Sequence, residues 1–166
     1  MKKDKDAEIF KNYKNNAAGR LFENGIEIAC GIYKEKGIAS ITKIPEPFRV
    51  LEKTRTGIFK GRFIAKAQPD FQGTLADGRS IIFEAKYTST ETIKKNTVTQ
   101  MQAEVLEEHF KLGAKAGVCV GIQEEYFFVP WEVWREMEKV IGKKSATKKD
   151  LKPWSVKWYQ GIMFLG

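Results

Sequence analysis

The stretch "PDFQGTLADGRSIIFEAK", residues 69–86, constrains this chain more than any other. Two apolar, partly β-branched runs flank Asp77-Gly78, a dipeptide suited to tight hairpin turns because glycine takes positive φ without steric cost. The pattern predicts an antiparallel hairpin, and strand periodicity then decides which side chains share a face. Glu84 and Lys86 point one way with Ser80 and Ile82, while Phe83, Ala85 and Tyr87 point the other way. Asp70, at the start of the first strand, falls opposite Glu84. A Pro-Asp turn and a Glu-x-Lys strand also occur in ordinary hairpins with an exposed, ion-paired face, so the chemistry has to discriminate.

Two facing carboxylates repel unless one is protonated or a cation lies between them. A hard divalent ion such as Mg²⁺ takes oxygen ligands, and Asp70, Glu84 and the Ala85 backbone carbonyl are candidates. Mn²⁺ is expected to substitute. Such an ion lowers the pKa of bound water and offsets charge developing on a phosphodiester under attack. Lys86, two residues from Glu84, is placed to orient the attacking water or stabilise that charge. Glu23 and Glu27 lie one turn apart on the first predicted helix, where they either ligate through water or form a solvated pair. Gln102, on the helix after the hairpin, either orients a water, holds the lysine, or caps a helix–sheet contact. His109 is the only histidine and is flanked by acids, so it reads as surface or core filler and a histidine-based mechanism is not expected.

The balance of 29 Lys and Arg against 21 Asp and Glu, a net charge of +8, favours a polyanionic partner, most commonly nucleic acid. A length of 166 residues, 42% of them hydrophobic, fits one folded domain. No apolar run approaches the roughly 20 residues that span a bilayer, and no apolar stretch follows the basic N-terminal residues. A cytoplasmic protein with no membrane partner is therefore expected, with Cys30 and Cys119 as reduced, buried thiols.

Residues 1–16 read as a flexible basic leader and 17–36 as a helix, with Leu21, Gly25, Ile28 and Ile32 in one apolar stripe. Phe22, Ile26, Ala29 and Tyr33 lie beside it, and Gly37 serves as C-cap. "IASITKIPEP" reads as a strand stopped by Pro45 and Pro47. Residues 48–67 read as two strands around a turn near Thr56-Gly57, carrying Arg49, Lys53, Arg55, Lys60, Arg62 and Lys66 against one acid, Glu52. That hairpin is either a solvated one or a phosphate-contacting arm. A helix capped by Asn96 or Thr97 runs to about Leu112, followed by a central strand "AGVCVGI" and a further strand "YFFV". The helix after Pro130 carries Trp131, Trp134, Met137 and Ile141 as core rather than as a base-stacking platform. "GKKSATKKDLK" reads as a basic loop, either solvated or a secondary DNA contact. The order predicts an α/β fold with a mixed sheet.

At the hairpin the sequence resembles the PD-(D/E)xK nuclease superfamily, and within it the RecU-type Holliday junction resolvases of bacteria and their phages, over roughly residues 19–129. "GRLFE" is similar to the family's G-M-x-L-E, which places Glu23 at its acidic position. "IASITKIPEP" is similar to a strand ending K-K-P-T-P, with Lys43 matched and Ile44 where the second lysine would be. "PDFQGTL…IIFEAK" resembles T-D-Y-N-G-V…I-D-F-E-A-K and carries over Asp70, Glu84 and Lys86 as metal ligands and catalytic lysine. "TQMQAEVL" resembles H-Q-I-E-H-M, matching Gln102 by its spacing from Lys86. Pro69 stands in place of the usual Thr, and the turn has one extra residue. The resemblance implies a restriction-endonuclease-like mixed sheet flanked by helices, with residues 48–67 as a stalk toward the junction centre. It also implies a homodimer, and cleavage that leaves 5′-phosphates. The expectation is a single nuclease domain that is a Mg²⁺-dependent, structure-selective endonuclease making paired symmetric nicks in four-way DNA junctions. Lys43, Arg49, Lys53, Arg55, Lys60, Arg62 and Lys66 are its expected DNA contacts. Another nuclease of the superfamily acting on linear, flapped or damaged DNA, and a non-catalytic junction binder, are the alternatives.

Overall fold

The structure is a computed structural model. It describes the backbone of residues 2–45, 48–53, 56, 59–63 and 68–165, and the side chains of residues 16–45, 56 and 68–165. The first helix, α1 (Lys2–Glu35), begins well before residue 17, where the sequence starts it, so the backbone expected as a leader is helical. Its buried face is formed by Phe22, Ile26, Ala29, Cys30 and Tyr33, whereas Leu21 and Ile28 of the adjoining stripe are 70% and 40% exposed. The larger aromatics decide which stripe goes inward. Phe22 packs on Tyr87 and Tyr126, and Tyr33 meets Phe164 edge to face. Gly37 ends the helix at φ +66°, and the Ile38 N–H reaches back to the Tyr33 carbonyl.

β1 (Ala39–Lys43) follows, and then β2 (Phe48–Lys53) and β3 (Phe59–Phe63), which form their own antiparallel pair with a bulge between Val50 and Glu52. The expected hairpin over 48–67 is thus present in its strands, and Thr56 lies in the turn between them. Arg55, Gly57 and Lys66 lie outside the described residues.

β4 (Phe71–Leu75) and β5 (Ser80–Thr88) make the hairpin predicted around Asp77-Gly78. Gly78 has φ +85°, and the Asp77 carboxylate accepts from the Arg79 backbone N–H and Nε. β4 runs so close to β1 that a Cβ at Gly73 would stand 2.0 Å from the Ser40 carbonyl oxygen, so only glycine fits there. β6 (Thr92–Lys94) and a 3₁₀ turn over Lys95–Thr97 lead to α2 (Gln100–Lys111). The cap of α2 is Thr99, not Asn96 or Thr97. Thr99 and Gln102 form a reciprocal capping box, which satisfies two otherwise unpaired N–H groups at the helix start.

β7 (Lys115–Ile122) and β8 (Glu125–Pro130) complete the central strands. The helix expected after Pro130 is two short ones, α3 (Trp131–Arg135) and α4 (Met137–Ile141), separated at Glu136. Trp131, Trp134 and Met137 are buried, as a core reading requires. The basic segment after Gly142 is not merely a loop. It forms β9 (Ser145–Thr147), which pairs with β6, and α5 (Lys148–Leu151). β10 (Ser155–Trp158) and β11 (Ile162–Met163), which the sequence reading does not anticipate, extend the main sheet.

That sheet has the order β1-β4-β5-β7-β8-β10-β11. β5 and β7 are parallel and the other neighbours antiparallel, so the expected mixed α/β sheet flanked by helices is observed. β5 is buried on both faces and its alternation divides the core. Ile81, Phe83 and Ala85 join the cluster under α1, and Ile82 joins the cluster under α2 and α3. Glu84 therefore points to the α2 side, into a layer whose other buried side chains are apolar apart from Gln102 among the described residues. Cys30 and Cys119 are buried and free, and burial pushes both thiols up, Cys30 to about 12.

Candidate active site

The β4–β5 register pairs Phe71 with Phe83, and one step further sets Asp70 against Glu84. Asp70 is fixed by the neighbouring strand, because its Oδ2 accepts the Ala85 N–H at 2.9 Å. The N–H and C=O of one strand residue point to the same side. The Ala85 carbonyl is thus directed past the end of β4, toward Asp70, and not toward β7.

Glu84 is 1% exposed. Its Oε1 accepts from Lys86 Nζ at 2.7 Å and from Gln102 Nε2 at 2.5 Å. Its Oε2 is buried with no hydrogen-bond partner among the described residues. Burial, and then the neighbouring Asp70 carboxylate, push the Glu84 carboxyl up to about 7, against the pull of Lys86. This is the electrostatic signature of two acids placed together with one oxygen unfilled.

Gln102 is held as firmly as the carboxylate it serves. Its Oε1 accepts from the Thr99 N–H at 3.0 Å and Oγ1 at 3.1 Å, which leaves the Nε2 end turned to Glu84. Of the roles read from the sequence, Gln102 performs a helix–sheet tie and steadies Glu84 rather than bonding Lys86 directly. Thr99 is a positioning residue that the sequence reading missed, although "TQMQ" carries the T-x-x-Q capping pattern that reveals it.

Glu23 stands at the edge of this group. Lys43 Nζ donates to Glu23 Oε2 at 2.6 Å and lies 3.7 Å from Glu27 Oε1. The Glu23 hydrogen bond, helped by the charges of Glu23, Glu27 and Asp70, holds the Lys43 ammonium above its ordinary pKa. Lys43 therefore links the acids of α1 to the Asp70 side of the hairpin. Arg49, Lys53, Lys60 and Arg62 belong to the separate β2–β3 pair, where the register sets Arg49 opposite Arg62. Arg55 and Lys66 fall outside the described residues. His109 is partly exposed on α2.

Among the described residues no cluster of three or more His, Cys, Asp or Glu side chains is shaped to hold a metal. The protein would supply Asp70, Glu84 and the Ala85 carbonyl, leaving other positions to water and substrate oxygens. That sparse, all-oxygen set suits Mg²⁺, which keeps much of its hydration, and does not suit Zn²⁺. The orphaned Glu84 Oε2 beside a second carboxylate is where a cation fits.

The mixed α/β sheet and the order Asp70, Glu84, Lys86 along its β4–β5 hairpin match what the resemblance to the PD-(D/E)xK nucleases leads one to expect. The sequence goes further: residues 17–163 match the family described as RecU: Recombination protein U, and the chain belongs to that family. No curated protein matches the chain by sequence. Among solved structures, a Holliday junction resolvase, Hjc, from Archaeoglobus fulgidus, is similar at 12% identity and a TM-score of 0.44. The match covers 79% of this chain and 89% of that one. A likeness at that level carries no residue role across.

Proposed function

We propose that this protein is a Mg²⁺-dependent endonuclease that resolves four-way DNA junctions by paired symmetric nicks, acting as a homodimer. The observation that carries the reading is the buried Glu84 carboxylate. It faces Asp70, is tied to Lys86 and Gln102, and keeps one oxygen without a hydrogen-bond partner among the described residues. Membership of the RecU family supplies the substrate class.

When bound between Asp70, Glu84 and the Ala85 carbonyl, Mg²⁺ supplies Lewis acidity and a more acidic water. The protein's own groups do the positioning. The Ala85 N–H holds Asp70, Gln102 holds Glu84, and Glu84 in turn fixes Lys86 Nζ at the mouth of the site. From there Lys86 orients the attacking water, or meets the charge that grows on the phosphate oxygens. Lys43, held between Glu23 and Glu27 on the α1 side of the hairpin, contacts substrate phosphate.

The basic sequence of the β2–β3 pair, with Arg49, Lys53, Lys60 and Arg62 against one acid, supports its assignment to a phosphate backbone. Two cuts related by symmetry require two active sites about a two-fold axis, which a homodimer provides. Mn²⁺ substitutes for Mg²⁺ on the same oxygen ligands. Among the described residues no helix is long and apolar enough to cross a membrane.

The test is cleavage of a labelled four-way junction and a linear duplex of matching sequence, with Mg²⁺, Mn²⁺ or EDTA, beside Asp70→Asn. Symmetric nicks in the junction alone, abolished by EDTA and by the substitution, are expected. Equal cutting of the duplex would make the protein a general nuclease. Tight junction binding without cutting in either metal would make it a binder.

A further inference from the structure

The register of β1, β4 and β5 lays out a grid of side chains on the face of the sheet that Glu84 occupies. Thr42, Gln72 and Ile82 form the row next to Asp70 and Glu84, and Ser40, Thr74 and Ser80 form the row beyond. On the opposite face of these strands Ala39, Ile41, Phe71, Ile81 and Phe83 are buried in the cluster under α1. The Glu84 face is different. Ser40, Thr42 and Thr74 are exposed, Gln72 and Ser80 are half-buried, and none of these five side chains has a hydrogen-bond partner among the described residues. In a chain that is 30% charged, these two rows carry no Asp, Glu, Lys or Arg.

We infer that Ser40, Thr42, Gln72, Thr74 and Ser80 form a track for the sugar–phosphate backbone of the cleaved strand, on one side of the scissile phosphate. The inference rests on the nuclease reading and adds where the strand runs. A strand whose phosphate lies at Asp70 and Glu84 cannot leave across β7, because Glu84 is level with Val118, which is buried in the layer under α2. Toward β4 and β1 the way is open among the described residues. Hydroxyls and a carboxamide donate to phosphate and sugar oxygens. Acids at these positions would repel a polyanion, and none is there. From Asp70 to Thr74 is two strand repeats, roughly 14 Å, which takes at most about four nucleotides at ~3.4 Å each.

Neutral contacts leave a signature that basic ones do not. They release no counterions, so losing one weakens binding without changing its salt dependence.

The experiment measures binding of a labelled four-way junction to the full chain in EDTA over a range of salt, with cleavage in Mg²⁺ or Mn²⁺ followed separately. Gln72→Ala should weaken binding about three- to tenfold and leave the slope of log affinity against log salt unchanged. Thr42→Lys puts a cation on the track, so it should tighten binding and steepen that slope by about one. Thr42→Glu should weaken binding at least about tenfold at low salt. Thr42 is exposed, so neither substitution disturbs the core. Ser155→Lys and Ser155→Glu, at an exposed position on β10, control for net charge and should change binding little. Junctions with one neutral methylphosphonate near the cut locate the contact: at one phosphate, its cost and that of Gln72→Ala should not add.

Thr42 variants indistinguishable from the Ser155 pair, or additive losses at every phosphate, would overturn the track. So would a changed oligomeric mass in the Thr42 variants with unchanged binding per protomer, which would make the face a contact between copies. Cleavage by the unmodified protein beside indifferent Thr42 variants would remove the track and leave the nuclease reading. The expected shifts in binding without cleavage in either metal would keep the track as a binding surface and remove the nuclease reading.

Discussion

Two glutamates near opposite ends of α2 experience the protein in opposite ways. Glu107 has both oxygens filled: Trp131 Nε1 and Arg135 Nη1 donate to it at 2.7–2.9 Å, and Lys111 lies 3.5 Å away. The Trp131 and Arg135 hydrogen bonds hold its carboxyl below the usual range. Glu84 is deeper and is pushed up, and one of its oxygens has no hydrogen-bond partner among the described residues. Glu107 is a finished structural anchor, tying α2 to α3. Glu84 is an acid whose environment is complete only with something added. Carboxylates are common in proteins, and the difference between these two is the ground for proposing Glu84, and not Glu107, as the functional one.

Exchanging the charge at each position separates the two roles. Glu84→Gln should lower junction cleavage by about 10²–10³-fold, while changing stability little, because it removes a buried charge and its repulsion with Asp70. Glu107→Ala should leave the cleavage rate near that of the unmodified chain. It should cost about 2 kcal/mol of stability, because Trp131 Nε1 and the Arg135 guanidinium lose their acceptor. Paired cleavage assays and urea unfolding of the two variants check both halves. Substantial loss of activity in Glu107→Ala at a temperature where it is folded would erase the contrast.

Gln102 connects the comparison, since it belongs to the helix but serves Glu84. Gln102→Ala should reduce metal affinity or cleavage about 10–100-fold, as loss of a group that orients a ligand does. Opening the capping box adds about 1 kcal/mol of destabilisation. A metal titration of cleavage rate distinguishes the two effects. Lys43→Ala tests the edge of the site. Junction binding should weaken and the slope of log affinity against log salt should fall by about one, the mark of one lost phosphate contact.

The smallest effect concerns Asp150, another well-partnered acid and the counterpart of Glu107 on α5. The Thr147 N–H and hydroxyl, with Lys143 beyond them, hold its carboxyl down to about 2. A folded-state pKa below the ordinary value means stabilisation that is present above about pH 4 and is lost as pH falls toward 2. Asp150→Asn should remove that slope. Thermal midpoints between pH 2 and 5 would show it.

The hairpin was legible in the sequence because its signals are local: Asp-Gly for the turn, period two for the faces, and Asp70 opposite Glu84 by counting. The helix start at Thr99 was equally local, but Asn96 and Thr97 offer competing caps, and the 3₁₀ turn over Lys95–Thr97 occupies them. The α1 face was harder. Two apolar stripes lie side by side, and only packing against Tyr87, Tyr126 and Phe164 selects Phe22 and Tyr33 over Leu21 and Ile28. The C-terminal strands β10 and β11 are too short to show a period, and they exist because β8 offers an edge. The Lys43–Glu23 bond joins residues 20 apart on a helix and a strand, a contact that local pattern does not encode.

The central claim is that Asp70 and Glu84 form a cation site left incomplete by the protein alone. The most direct measurement is the thermal midpoint of the unmodified chain, Glu84→Gln and Glu107→Ala, each with EDTA and with Mg²⁺ or Mn²⁺. A metal at about ten times its Kd should raise the midpoint by about 3 °C in the unmodified chain. Glu107→Ala should show the same rise from a lower starting point, and Glu84→Gln should show none. An equal rise in all three, or none in the unmodified chain at saturating metal, would contradict the account.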